Sequence, residues 1–384
     1  MILQRILKII NRILKIINYI IPKNRRLVVF DSAPDFTGNS MALFEFMDSR
    51  GEFEALWIAD EPERHPEFNQ VKRDSIRALL RILRAGTLVS THGRMAEIRV
   101  PSQRYVNLWH GMPLKAMAYA ETTGRDFTDP VRFSDENYYM IATSTIMRNA
   151  LAACFNQDAR RIHVTGQPRN DKLFREPPEI PGIDTESYSK VVLFAPTFRK
   201  SDFLSDGDML SHNLNFPDFN PEALSGFLTE NNVLLLVKFH PAEEKFAEKF
   251  LDEMENVALL RTEMLKDEML DINDILAGVD VLVTDYSSIY FDFLLLDRPI
   301  IFAVSDLEEY ARTRSFVLEP FEFWTPGPKV RTFREFLDEL ERSLNDPQYY
   351  AGERRTINEL VNHYRDDRSS ERVYRLVFQG EDGE

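Results

Sequence analysis

The sequence is poor in cysteine and in glycine. One cysteine, Cys154, stands in 384 residues, which excludes a disulfide framework and a thiolate-rich zinc site and fits a reducing compartment. The 15 glycines never fall in G-x-x-x-x-G-K-[ST] or G-x-G-x-x-G order, so neither glycine-lined phosphate loop is present. H-E-x-x-H and G-x-S-x-G are missing as well. Basic charge is in deficit, 47 Lys and Arg against 62 Asp and Glu for a net −15, and a nucleic-acid binder held by overall charge is thereby excluded. What the chain does have is apolar bulk. It is 43% hydrophobic with 28 Phe, enough for packed cores, and its length predicts two domains or three.

The charge is unevenly spread. Residues 1–26 hold seven basic side chains and no acidic one, leaving 40 basic and 62 acidic side chains, or −22, on the rest. RILKIIN occurs twice in succession, at 5–11 and 12–18. The seven-residue repeat puts Arg5, Lys8, Arg12 and Lys15 on one helical side with Gln4, Asn11 and Asn18, and isoleucines and leucines on the other. Pro22 ends the pattern. The span could cross a bilayer by length, but each cation near the midplane costs roughly 2.5–3.5 kcal/mol. A signal peptide needs an uncharged apolar run and a small-residue cleavage site, and neither is there. The expectation is a helix lying in the plane of an anionic membrane surface. Packing on the body, or pairing as a short coiled coil, is the alternative.

Beyond the leader, short apolar runs alternate with helical patterns. LVVFD (27–31), EALWIA (54–59), TLVST (87–91), RYVNLW (104–109), YYMIAT (138–143) and RIHVT (161–165) form a first set. The Pro- and acid-rich stretch 176–190 reads as a linker. A second set follows, VVLFA (191–195), VLLLVKF (233–239), VALL (257–260), VDVLVT (279–284) and PIIFAV (299–304), before a charged helical end at 331–378. Strand–helix alternation predicts parallel βαβ layers. The fold class is α/β, two doubly wound Rossmann-type domains with a cleft between them and a leading amphipathic helix. The divisions are 1–26, 27–175, 191–345 and 346–384. By analogy this is the two-domain plan of nucleotide-sugar transferases.

Chemistry concentrates at strand ends. In VDVLVTDYSSIYFDF (279–293) a strand runs out at Thr284-Asp285, and Ser287 and Ser288 open a helix, a phosphate cradle of hydroxyls and free amides without glycine. The bland alternative is that Asp285 and Ser287 only cap the helix. His110 in NLWHGMPLK, followed by Gly111 and Lys115, and His240 in VKFHPAEE each end a strand where a sheet presents residues to its cleft. A neutral imidazole there takes a proton from an attacking hydroxyl, and an imidazolium stabilises phosphate charge. FAPTFRK puts Thr197 and Arg199 past another strand, with Arg suited to bidentate phosphate contact. VTGQPRND offers Arg169 and Asn170, either in the cleft or in an interdomain turn. Lys238 faces a phosphate or solvent. His92 in STHGR is a strand-end histidine open to either reading, His163 is structural, and His65, His212 and His363 read as solvated. Asp206-Gly207-Asp208 has a D-x-D pattern in turn-forming company and reads as a loop rather than a metal site.

In this order, WHGMPLK, GQPRND, FAPTFR, KFHP and TDYSSIYFDFLLLDRPIIF resemble the motif series of the CDP-glycerol:glycerophosphotransferases of wall teichoic acid synthesis. The opening VVFDSAPDFTGNSMALFEFM and the later DLEEY…TPGPKV extend the likeness over about residues 27–345. Met112 and Phe198 stand where that family often has Thr and Trp. The resemblance implies a GT-B-like fold and a metal-independent transfer, with no cofactor, of glycerol phosphate from CDP-glycerol to a hydroxyl of a polyprenyl-diphosphate-linked saccharide, releasing CMP. It puts the family's two essential histidines on His110 and His240, and its donor-phosphate hydroxyls on Ser287 and Ser288. It implies a peripheral position on the cytoplasmic face of the membrane. No further domain precedes the catalytic pair in this sequence, so addition of the first unit is favoured over a processive glycerol- or ribitol-phosphate polymerase. A nucleotide-sugar glycosyltransferase and a silent membrane scaffold are the other readings, and a second copy of the chain is one further candidate partner.

Overall fold

The computed structural model describes residues 2–121, 135–197, 214, 216–251 and 254–380. Arg199, Phe198, His212 and Asp206–Asp208 lie outside the described residues, as do the side chains of Arg5 and Lys8.

Two parallel sheets follow from the two sets of apolar runs. The first holds β1 (Asn24–Asp31), β2 (Glu54–Ala59), β3 (Gln70–Lys72), β4 (Ala85–Ser90), β5 (Arg104–Asn107), β6 (Tyr138–Ala142) and β7 (Ile162–Val164) in the order β3-β2-β1-β4-β5-β6-β7. The second holds β8 (Lys190–Phe194), β9 (Val233–Val237), β10 (Val257–Leu259), β11 (Val281–Thr284), β12 (Ile300–Ala303) and β13 (Lys329–Val330) in the order β10-β9-β8-β11-β12-β13. Every pairing is parallel. Helices cover both faces, so the central strands are buried throughout: all six residues of β4 and all five of β9. That is why they do not alternate: β9 is apolar throughout, and β4 carries only Thr87 and Ser90 as polar residues, both buried. In each sheet the strand order reverses once, between β1 and β4 and between β8 and β11. Ligands bind at such reversals, beyond the carboxyl ends of the strands.

The leader is a helix, Ile2–Ile20, and Asn11 and Asn18 of its polar stripe face the protein. Asn18 is fully buried and donates to the Ile98 carbonyl and to Gln103 Oε1, each at 2.7 Å. Asn11 reaches Glu97 one heptad earlier. Lys23 Nζ ties the end of the helix to the Asn18 and Leu83 carbonyls at 2.6 and 2.8 Å. The isoleucines point the other way: Ile9, Ile10, Ile13, Ile16, Ile17 and Ile20 are exposed, Ile20 at 80%. Ile76 and Leu80 of the helix Ile76–Arg84 are exposed as well. No helix among the described residues is long and apolar enough to cross a membrane.

The last described helices return to the first domain. Ser369–Tyr374, continued by a π-helical turn at Arg375–Gln379, buries Val373, Tyr374, Leu376 and Val377 in one cluster with Phe30, Phe44 and Trp57. Asp171 accepts the Ser369 and Ser370 amides at 2.7 and 2.8 Å, holding the start of that crossing helix.

Candidate functional site

The turn after β5 aims His110. Trp109 takes φ 50°, a left-handed backbone rare for a bulky residue and a mark of a position held by its surroundings. Three hydrogen bonds hold it. The Trp109 amide donates to Asn107 Oδ1 at 3.1 Å, and Asn39 Nδ2 donates to the Leu108 and Trp109 carbonyls at 3.1 and 2.9 Å. His110 Nδ1 lies 3.2 Å from the Thr91 carbonyl. A carbonyl only accepts, so Nδ1 carries the hydrogen and Nε2 keeps its lone pair. The ring touches Trp109, with centroids 4.1 Å apart, and stacks on His92 at 4.3 Å and 9°. The side chain is exposed, yet crowded by the two neighbouring rings. Burial draws its pKa down to about 4, and His92, Arg169 and Lys115 push the same way against the Thr91 hydrogen bond. At neutral pH His110 is an uncharged base with a free Nε2.

The second domain meets this turn at Ser288. A Cβ on Gly111 would lie 2.5 Å from Ser288 Oγ and 3.5 Å from Ser288 Cβ, so any side chain after His110 would displace the Ser288 hydroxyl where the two loops touch. The helix behind Ser288 is short, Ile289–Phe293, and its dipole adds little. Ser288 makes no side-chain cap, and Asp285 is not a cap either. Asp285 Oδ1 accepts the Thr197 amide at 2.8 Å, and Thr284 Oγ1 donates to the Ala195 carbonyl at 2.7 Å. Thr284 and Asp285, both buried, therefore stitch the ends of β8 and β11 together and leave the serine hydroxyls to the cleft. Thr197 Oγ1 is buried with no hydrogen-bond partner among the described residues, at the edge of the same opening.

His240 follows β9, next to β8. Its carbonyl accepts the Glu243 amide at 2.8 Å and so opens the helix Pro241–Leu251. Its exposed imidazole is held below the usual pKa by partial burial and by Lys238, with Glu244 opposing. Lys238 faces neither phosphate nor solvent: its ammonium binds Glu244 Oε1 (2.5 Å), Thr262 Oγ1 (2.8 Å) and the Phe239 carbonyl (2.8 Å). Three donors meet three acceptors. Lys115 pairs with Phe316 in an antiparallel bridge between the domains, flanked by Ala116 N–H to Ser315 O (3.2 Å) and Val317 N–H to Leu114 O (2.9 Å).

Arg169 and Asn170 form an interdomain latch that reaches the site. Asp292 of the second domain accepts from Gln167 Nε2 (2.7 Å), Arg169 Nη2 (2.6 Å), Asn170 Nδ2 (2.9 Å) and its own domain's Asn273 Nδ2 (2.9 Å). Asn39, which aims the His110 turn, also takes the Arg169 amide at 3.1 Å. Arg169 Nη2 lies 3.8 Å from where a Gly111 Cβ would stand. Asn39, Gln167, Asn273 and Asp292 were not expected here, because nothing in the local sequence names the partner of an amide or an acid. A second closure lies at the rim. Arg64 bonds Glu263 at 2.7 Å and also Asp267, and His65 Nε2 meets the Lys266 carbonyl at 3.0 Å. His65 is thus 6% exposed and not solvated, because the second domain covers it. Among the described residues no three His, Cys, Asp or Glu side chains gather as a metal site would require.

The family model of CDP-glycerol:poly(glycerophosphate) glycerophosphotransferases matches residues 13–379. The chain is 32% identical over 295 residues to the teichoic acid ribitol-phosphate polymerase TarL of Staphylococcus aureus, covering 72% of this chain but only 48% of that protein. It is 26% identical over 380 residues to a teichoic acid glycerol-phosphate transferase of the same species, covering 93% and 94%. A teichoic acid glycerol-phosphate primase of Bacillus subtilis is 28% identical over 284 residues, 71% of this chain and 67% of that one. Among solved structures the wall teichoic acid polymerase TagF superposes with TM-score 0.75 at 20% identity, over 98% of this chain and 96% of that one. A putative UDP-N-acetylglucosamine 2-epimerase from Listeria monocytogenes reaches 0.53 at 13% identity, over 94% and 99%. At such identities the structural likeness shows the fold, two facing α/β domains of GT-B type.

Proposed function

The chain belongs to the CDP-glycerol:poly(glycerophosphate) glycerophosphotransferase family, and on that premise we propose that it moves one glycerol phosphate from CDP-glycerol to a hydroxyl of a membrane-lipid-linked saccharide. His110 Nε2 takes the proton of the acceptor hydroxyl. The freed oxygen attacks the phosphorus that bears glycerol, and the bond from that phosphorus to the bridging oxygen breaks, so CMP leaves with the electron pair. His240, Ser287, Ser288, the Thr197 hydroxyl and Arg199 are the groups we assign to the pyrophosphate and the charge developing on CMP. Such a transfer draws its rate from positioning and electrostatics. The observation that carries the reading is the meeting of the His110 turn with Ser288, where Gly111 leaves no room for a Cβ. Gly111→Ala should therefore push the Ser288 hydroxyl aside and raise KM for CDP-glycerol several-fold, measured by CMP release. The deciding experiment supplies CDP-glycerol or, in a parallel reaction, CDP-ribitol, with a lipid-linked disaccharide analogue, and counts added units by mass spectrometry. One unit supports our reading, a ladder makes the enzyme a polymerase, and transfer only from CDP-ribitol changes the donor.

The leader supports work at a membrane. With its asparagine stripe spent on the domain, the helix Ile2–Ile20 turns a row of isoleucines outward, and Ile76 and Leu80 add to the exposed apolar side chains. Packing on the body and binding lipid are thus compatible in one helix. Each side chain of this size gains about 1.5–3 kcal/mol when fully buried, and the flanking cations favour anionic headgroups. Replacing Ile13, Ile16 and Ile20 together by Asp should cut co-sedimentation with phosphatidylglycerol vesicles at least tenfold while CMP release from a soluble acceptor persists. Unchanged vesicle binding would refute the membrane role.

A further inference from the structure

We propose that His92 is a positioning residue for the transfer, the aromatic platform on which His110 is aligned. The inference rests on His110 acting as the base. Thr91 pins both rings: its carbonyl takes the His110 Nδ1 hydrogen at 3.2 Å, and its hydroxyl meets His92 Nδ1 at 2.8 Å. The main-chain amide of His92 in turn donates to Ser90 Oγ at 3.3 Å, and Ser90 Oγ donates to the buried Asp31 at 3.0 Å. The platform is therefore anchored at the reversal between β1 and β4, not in a free loop. The two imidazoles lie nearly parallel, 4.3 Å apart.

The stack matters before the proton moves: it fixes the plane of the His110 ring, while His92 itself pushes the His110 pKa down. Burial, Arg94 and Arg73 hold the His92 pKa at about 4, and the same two arginines are bound to Asp31. Facing His110 from the other elements are Arg169 and Lys115. Two stacked imidazoliums would repel, so the pair carries one proton at a time.

The test compares His92→Ala, His92→Phe and His110→Ala in the full chain, by CMP release with CDP-glycerol and a lipid-linked acceptor analogue. Phe keeps an aromatic face and cannot titrate. His92→Ala should lower kcat about 10–100-fold with KM for CDP-glycerol within about twofold, since misaligning a reacting group by about an ångström costs on that order. His92→Phe should recover kcat to within about threefold of the native enzyme. Native kcat in His92→Ala overturns the proposal, and so does failure of Phe to restore the rate, which would make His92 itself a proton carrier. Native turnover in His110→Ala would instead bring down the proposed function beneath it.

Discussion

His110→Ala is expected to lower turnover by about 10²–10⁴-fold, the range that loss of a general base costs, while CDP-glycerol still binds. The separation follows from geometry. His110 stands at the end of β5 in the first domain, whereas Ser287, Ser288, Thr197 and His240 belong to the second. Calorimetry with CDP-glycerol should show native affinity in the variant, and a CMP-release assay should show the loss. Turnover near the native level would refute the assignment. The pH dependence carries its own sign. The base works only when neutral, and its pKa is drawn below the ordinary imidazole value to about 4, so activity should be level through neutral pH and fall only as pH drops through the acid range. A pyrophosphate bound beside the ring favours the imidazolium. The acid limb of kcat, which reports the enzyme–substrate complex, should therefore lie above the His110 titration seen by NMR in the free enzyme.

Much of this architecture is legible in the sequence, for a physical reason. Parallel strands buried on both faces are apolar at nearly every position, and VVLF, VLLLV and VLVT announce themselves. β3 (QVK) and β13 (KV) do not. They are edge strands of three and two residues, too short and polar to form a pattern. The strand-end residues of the site are legible as well, because an α/β sheet exposes only the carboxyl ends of its strands to the cleft. What the linear chain conceals is pairing. Nothing local says that Asn18 will be buried against Gln103, that His65 will be covered by the second domain, or that His92 and His110 will stack. For the same reason Thr284, Asp285 and Lys238 look like ligand groups in sequence, although in the structure they bind their own domain.

Asp292 is the sharpest case, since it lies inside the most distinctive motif and yet acts between the domains. Its carboxylate is 1% exposed, and amide or guanidinium donors from Gln167, Arg169, Asn170 and Asn273 converge on its two oxygens. Removing it strands Arg169, whose Nε already lacks a partner among the described residues. Breaking a buried ion pair from one side costs about 3–5 kcal/mol. Asp292→Asn should be nearly as damaging as Asp292→Ala, because an amide offers one accepting oxygen and turns its own N–H groups toward the remaining donors. The loss falls on the arrangement that holds Gly111 against Ser288, for Asn39 links the latch to the His110 turn. We expect either variant to reduce kcat by more than about 100-fold, as misplacement of reacting groups does, and to speed amide exchange in residues 165–171 and 289–296 in the absence of substrate. Arg169→Met with Asp292→Asn should be less harmful than the sum of the two single changes, since the double variant no longer buries an unpaired cation. Additive losses, or native exchange rates in Asp292→Asn, would mean that the domains are held by the Lys115–Phe316 bridge and the Arg64 rim, with the latch a bystander.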